Sequence, residues 1–183
     1  MKLLDFVATV PSLSETDCGN LITFFENHSE QHKRNDNEVQ HFTELNVNSV
    51  SVELSNVLAR KLIQVINTYT DIHSPTGDRY FPKKYGFEEF RIKRYNNEDC
   101  FKQHVDVGDA KSCKRFLAFL FYLNDDFEGG GTMFRTPEIK YVIPKTGNCL
   151  VFPPTWQYPH EGIKANGTKY IMSTYLHYVD PES

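Results

Sequence analysis

Cysteine is scarce and scattered: Cys18, Cys100, Cys113 and Cys149 are the four in 183 residues. No two form a Cys-x-x-Cys pair, and they lack the density of a small secreted disulfide framework, so reduced thiols are expected. No apolar run approaches membrane-spanning length. The stretch nearest the N-terminus is interrupted by Asp5 and closed by Pro11, too short and too broken for a secretory signal. A dominant sign of charge is also missing: 20 Lys and Arg against 24 Asp and Glu leave a net charge of -4. That balance lacks the basic footprint that nucleic acid or an anionic membrane surface requires. Nucleophile-elbow, phosphate-loop and zinc-protease motifs are absent, and no repeat or linker divides the chain. The expectation is one domain over residues 1–183 in a reducing, cytoplasmic location, with neither nucleic acid nor membrane among its partners.

Aromatic residues, by contrast, are plentiful. Fourteen Phe and ten Tyr suit a β-rich core in which large rings pack between sheets. The first 70 residues or so read as helical. Ser14 and Asp17 form a capping box ahead of Leu21, Ile22, Phe24 and Phe25, which predicts a short helix fraying near His28. Leu54, Val57, Leu58, Leu62, Val65, Ile66 and Tyr69 recur at three and four spacing, which predicts a longer amphipathic helix over 52–69. Residues 30–48 are polar and without period and read as an exposed loop. Residues 71–85, with Pro75, Gly77, Pro82 and several aromatics, read as a long loop and the candidate lid of a pocket. From about 88 to 180 the texture becomes short apolar runs divided by turns, at 90–95, 101–107, 116–123, 132–134, 141–144, 149–152 and 170–179. This is the pattern of a β-sandwich or barrel. Gly129, Gly130 and Gly131 mark a tight bend or bulge between strands.

His104, Asp106, His160 and Lys169 carry the chemistry. Residues at i and i+2 of a strand project from one face, so His104 and Asp106 point together. With His160 from another strand they make two imidazoles and one carboxylate on one side of a metal. Open positions remain opposite, the arrangement of a non-haem Fe(II) oxygenase. Asn166-Gly167 predicts a type I′ hairpin that sets His160 opposite Ser173 and Lys164 opposite Lys169. In that register His160, Lys169, Ser173 and Tyr175 share one face. Lys169 lies about 14 Å along it, a span that suits a metal and a five-carbon diacid such as 2-oxoglutarate. A lysine facing a core wants an anion, and the far carboxylate of that diacid supplies one. Taken singly, the His-x-Asp triplet reads as two polar residues on a surface strand, His160 as a satisfied loop or core histidine and Lys169 as a hairpin-tip charge. The same three ligands also suit a zinc-dependent hydrolase, though no general base is evident and Lys169 has no task there. A non-catalytic binding module on the same fold is a third reading. Trp156, Asp125, Asp126 and His177 are assigned packing or turn roles, with His177 far from the metal.

Several pieces come in a characteristic order: Arg94-Tyr95, Phe101-x-x-His104-x-Asp106, Phe121 to Asp125 as Phe-Tyr-Leu-Asn-Asp, and Gly130-Gly131-Thr132-x-Phe134. Pro144-x-x-Gly147, Leu150-x-Phe152, His160-Glu161-Gly162 and Gly167-x-Lys169 follow. In this succession the chain resembles the 2-oxoglutarate and Fe(II)-dependent dioxygenases, within them the prolyl 4-hydroxylase-like group. The resemblance runs over about half of the chain and implies a mainly β fold with helical support (α+β). That fold is a double-stranded β-helix, a distorted jelly roll with N-terminal helices packed on the major sheet. It further implies His104, Asp106 and His160 as iron ligands and Lys169 as the anchor of 2-oxoglutarate. Tyr95 and Tyr122 would line the cosubstrate pocket, with Ser173 at an often polar position. The cofactors implied are Fe(II), 2-oxoglutarate and O2, with ascorbate supporting activity. The outcome implied is hydroxylation, since relatives that halogenate replace the carboxylate ligand, with succinate and CO2 as coproducts. The substrate implied is a peptidyl side chain, proline first, with a free amino acid or other small molecule as the alternative.

Overall fold

A computed structural model describes residues 2–74 and 76–180; Pro75, in the stretch expected to be a loop, lies outside the described residues. In chain order the elements are β1 (Ala8–Pro11), α1 (Glu15–Glu26), β2 (Lys33–Asp36), β3 (His41–Asn46), α2 (Val47–Val50), α3 (Val52–Ile72), α4 (Thr76–Tyr80), β4 (Gly86–Phe87), β5 (Arg91–Tyr95), β6 (Phe101–His104) and β7 (Arg115–Tyr122). There follow β8 (Glu128–Gly129), β9 (Thr132–Arg135), β10 (Ile139–Val142), β11 (Asn148–Phe152), β12 (His160–Gly162), β13 (Ala165–Asn166) and β14 (Lys169–His177). The major sheet runs β1-β11-β7-β14-β5-β3-β2, with β4 added beside β14, and the minor sheet runs β10-β9-β12-β6. All pairings are antiparallel.

Two apolar layers hold this architecture. Phe119 and Phe121 of β7, Ile92 of β5 and Met172 of β14 pack against Leu21 and Phe25 of α1 and Leu58, Leu62 and Ile66 of α3. On the other face of the same strands Ala118, Tyr122, Tyr95 and Ile171 meet Phe134, Leu150 and Phe152 between the sheets. A strand covered on both faces has no polar alternation to show, which is why β7 reads Arg-Phe-Leu-Ala-Phe-Leu-Phe-Tyr. The helices start where their caps say. Ser14 Oγ accepts from the Asp17 N–H while Asp17 accepts from the Ser14 N–H, and Ser51 Oγ caps α3 at the Leu54 N–H. The architecture is the expected mainly β fold with helical support, a double-stranded β-helix with helices on the major sheet.

Three local expectations are corrected. Residues 30–48 are not an exposed loop: β2 and β3 extend the major sheet past β5. In β3, Phe42 packs in the layer between the sheets and Leu45 in the helix layer, so burial at opposite faces three residues apart hides the strand period. Residues 71–85 carry the end of α3 and all of α4. Phe81 and Tyr85 contact Phe116 and join the helix-side layer, on the other face of the major sheet from His160, so they are not a lid. The 160–173 hairpin does not form. β12 pairs with β6 and β9, whereas β14 pairs with β5 and β7. Among the described residues no non-glycine residue has positive φ, so Asn166 does not enter a type I′ turn, and of the pair Gly167 alone has positive φ, at +127. The segment crosses from one sheet to the other. Lys164, instead of opposing Lys169, pairs with Glu98 at the surface.

Candidate metal centre

His104 closes β6 and His160 opens β12, and the two are direct cross-strand partners. Directly opposed residues project to the same side, which brings the imidazole centroids to 4.3 Å. Asp106 lies two residues beyond β6 in a loop tied down by its own N–H and that of Val107, both donating to the Pro154 carbonyl. Its Oδ1 is 3.5 Å from His104 Nε2 and its Oδ2 3.6 Å from His160 Nε2. The three ligating atoms lie within 4.8 Å of one another. Each imidazole turns Nδ1 toward a backbone carbonyl, His104 to Lys102 at 2.8 Å and His160 to Tyr158 at 3.0 Å. An imidazole donating from Nδ1 leaves Nε2 as the lone pair, the tautomer a metal requires. The donor set therefore fits a divalent cation held by two nitrogens and a carboxylate.

Electrostatics agree with that use. Burial pushes the Asp106 carboxyl upward, but the His160 and His104 imidazoles and the Tyr175 hydroxyl outweigh it and hold the group at about 2, so it is ionised. Burial lowers His160 below the ordinary histidine value, favouring neutral imidazole. Tyr175 Oη donates to Asp106 Oδ1 at 2.8 Å. Arg115 donates to the Asp106 carbonyl at 3.0 Å, pairs with Glu88 and lies 4.0 Å from the Tyr175 ring centroid. Phe101 stacks on His104 at 3.5 Å. Tyr175→Phe leaves one carboxylate oxygen without its donor and frees it to rotate. A metal titration should then show affinity lowered about 10- to 100-fold, the range for outer partners of ligands. Unchanged affinity would mean the bond does not orient Asp106.

Lys169 opens β14 directly opposite Tyr95 and is 3% exposed. Its Nζ donates to the Gly130 carbonyl and lies 5.4 Å from the Tyr95 ring centroid and 5.9 Å from that of Tyr122. Gly129 and Gly130 both have positive φ, which only glycine takes without strain, and this bend presents that carbonyl. Among the described residues no acidic side chain pairs with Lys169, and burial pushes it down to about 8. A buried ammonium with one neutral acceptor is an anion site in waiting. Lys169, Ile171, Ser173 and Tyr175 alternate along β14 into a single cavity that His104, Asp106 and His160 also line. Tyr95 lines it as well, while Tyr122 sits beneath, its hydroxyl bonded to Thr132 Oγ1 at 2.8 Å.

All seven side chains singled out from the sequence thus lie in or against one cavity. Lys93 and Phe101 line it too without having been singled out as site residues, and Arg115 lies against the Tyr175 ring. Only their contacts with strands distant in sequence reveal them; the single hint was Phe101 three residues before His104. Trp156 is 75% exposed and has no packing role. Asp125 accepts from Thr146 in a turn, and His177 lies at the far end of β14 beside Gly86.

Known proteins match this arrangement. The pattern of the 2OG-Fe(II) oxygenase superfamily fits residues 90–177. A protein of Acanthamoeba polyphaga mimivirus, provisionally named a prolyl 4-hydroxylase, is 34% identical over 77 residues, 37% of this chain and 31% of that protein. The matched stretch therefore spans about a third of the relative's length. A viral collagen prolyl hydroxylase from Paramecium bursaria Chlorella virus-1, solved as its 2OG complex, superposes with TM-score 0.72 at 18% identity, covering 95% of this chain and 97% of that one. A Trichoplax adhaerens prolyl hydroxylase in complex with a hypoxia inducible factor peptide fragment gives TM-score 0.74 at 13% identity, covering 94% and 84%. A Pseudomonas putida prolyl-4-hydroxylase gives 0.70 at 14%, covering 95% and 93%. At these identities the likeness of the structures is one of fold.

Proposed function

We propose that this chain is a 2OG-Fe(II) oxygenase of prolyl 4-hydroxylase type, on the match of residues 90–177 to that superfamily's pattern, and that it hydroxylates a peptidyl side chain, proline first. The observation that carries the reading is the pairing of a His104, Asp106 and His160 triad with a buried Lys169, which pairs with no acidic side chain among the described residues, in one cavity. The triad would hold Fe(II). With 2-oxoglutarate and O2 that iron supplies oxidative decarboxylation coupled to hydroxylation, giving succinate and CO2. Lys169 would bind the distal carboxylate, with Tyr95 and Ser173 along the cavity wall and Tyr122 bracing it through Thr132. Tyr175 orients the Asp106 carboxylate, and the apolar walls at Phe101, Leu120, Phe152 and Ile171 exclude water, as a reactive oxygen chemistry needs. An open groove of about 530 Å³ adjoins the cavity between the β2–β3 ribbon and β6, room for an extended chain. Four free thiols suit a reducing, cytoplasmic setting.

The test is succinate formation by purified protein with Fe(II), ascorbate and 2-oxoglutarate, with and without proline peptides, read together with the peptide mass. Stimulated succinate and a peptide heavier by one oxygen are expected, and ascorbate should prolong turnover. Stimulation by free amino acids alone would move the substrate to a small molecule. No succinate, with zinc in the protein as isolated, would favour the hydrolase or the binding module.

A further inference from the structure

Lys93 is a second lysine facing the cavity, and none of the roles above uses it. It stands two residues before Tyr95 on β5, so strand alternation turns both toward the space between the sheets. Its Nζ lies 4.9 Å from the Phe42 ring centroid and 5.9 Å from that of Phe101, the ring stacked on His104. The residue is half-buried and lines both the enclosed cavity and the open groove.

The charges around it are unevenly matched. Arg115 is paired with Glu88 and Arg91 with Glu89, and Asp106 belongs to the triad. Across the sheet Lys33, Glu44 and Lys93 are successive cross-strand partners, a row of two cations around one anion in which no ion pair closes among the described residues. Asn35 stands on the same face as Lys33 and lines the same groove, and its Nδ2 is buried with no acceptor. Lys93 supplies three donors and no acceptor. Desolvated donors without partners cost free energy until an acceptor arrives. The buried Asn35 Nδ2 and the half-buried Lys93 ammonium on one wall, beside the triad, call for a ligand rich in oxygen lone pairs.

We propose that Lys93, with Asn35, receives a carboxylate of the substrate and so selects acidic substrates. Either an aspartate or glutamate near the hydroxylated residue of a peptide or the α-carboxylate of a free amino acid can supply it. The proposal rests on the hydroxylase reading and names the chemistry of its substrate. Lys93 is a specificity residue, distinct from Lys169, which stands opposite Tyr95 two positions along the β5–β14 pairing.

The experiment is anaerobic binding to the Fe(II) and 2-oxoglutarate complex, followed by fluorescence anisotropy of labelled proline peptides with Asp or Asn beside the proline. Free proline and prolinamide serve as competitors. The wild-type protein should hold the Asp peptide about tenfold or more tighter than its Asn twin, or free proline by that margin over its amide, and which pair differs names the source. Lys93→Met, whose side chain still packs on Phe42 and Phe101, should erase the difference, and Lys93→Arg should keep it. Equal binding of acid and amide forms, or a preference that survives Lys93→Met, overturns the proposal. Admitting air then tests the hydroxylase reading separately. A carboxylate preference lost in Lys93→Met with no oxygen added to any ligand would fail that reading while the carboxylate site stands.

Discussion

His160→Ala is expected to lower metal affinity by more than about 100-fold and to bring 2-oxoglutarate turnover to background. Loss of a partner that merely orients a ligand costs about 10- to 100-fold, so loss of the ligand itself must exceed that. His160 is 5% exposed, with Phe134 and Phe152 packed on its ring at 5.5 and 4.7 Å. Alanine therefore also leaves a small apolar void, and a thermal melt alongside separates a folded, metal-poor protein from an unfolded one. Iron content by elemental analysis and succinate by chromatography are the readouts. A folded variant retaining stoichiometric iron would remove His160 from the proposed ligand set.

Lys169→Ala should raise the 2-oxoglutarate requirement on the order of a hundredfold, since truncating one partner of a buried charge pair costs about 2–5 kcal/mol, while iron affinity moves little. Equal effects on both would take Lys169 out of the pocket. The same residue has a signature in the ligand-free protein. Its ordinary value is 10.5, and burial holds it at about 8 in the folded state. Between those two pH values the unfolded chain binds more protons than the native one, so stability rises with pH. The relief is complete above 10.5 and is lost as pH falls through about 8, a difference of roughly 3 kcal/mol. Denaturant titrations at pH 8 and 10.5 should show this rise in the wild-type protein and a smaller one in Lys169→Met. At pH 7 the methionine variant should be the more stable, because replacing an unpaired buried ion by an apolar side chain removes its desolvation cost. A less stable Lys169→Met would show that the bond to the Gly130 carbonyl already satisfies the ammonium.

Local rules sufficed wherever one segment contains its own cause. The capping box at Ser14 and the apolar stripe of α3 place two helices within a few residues of their observed bounds, because caps and periodicity act over a single turn or face. Alternation along β14 brought Lys169, Ser173 and Tyr175 to one wall, whereas β6 ends at His104 and Asp106 reaches the site from a loop held by the Pro154 carbonyl. The run of motifs from Arg94 to Lys169 carried the resemblance to the 2-oxoglutarate and Fe(II)-dependent dioxygenases without any geometry.

What the chain order could not convey is which strands become neighbours. Asn166-Gly167 looked like a hairpin, yet β12 and β14 belong to opposite sheets, since pairing follows the burial available across the whole molecule and a turn signal acts over four residues. β2 and β3 were hidden because β3 is buried on both faces, and the lid dissolved because Phe81 and Tyr85 found Phe116 on the helix side. Residue identity and short-range spacing alone determined the two helices, the β-rich core and the triad with its lysine. Tertiary packing decided that His160 meets the other two from across the minor sheet and that Tyr175 steadies Asp106. It likewise set Lys93 on the groove wall beside its cross-strand neighbour Glu44 with no ion pair closed among the described residues, since each of these depends on contacts between strands far apart in the chain.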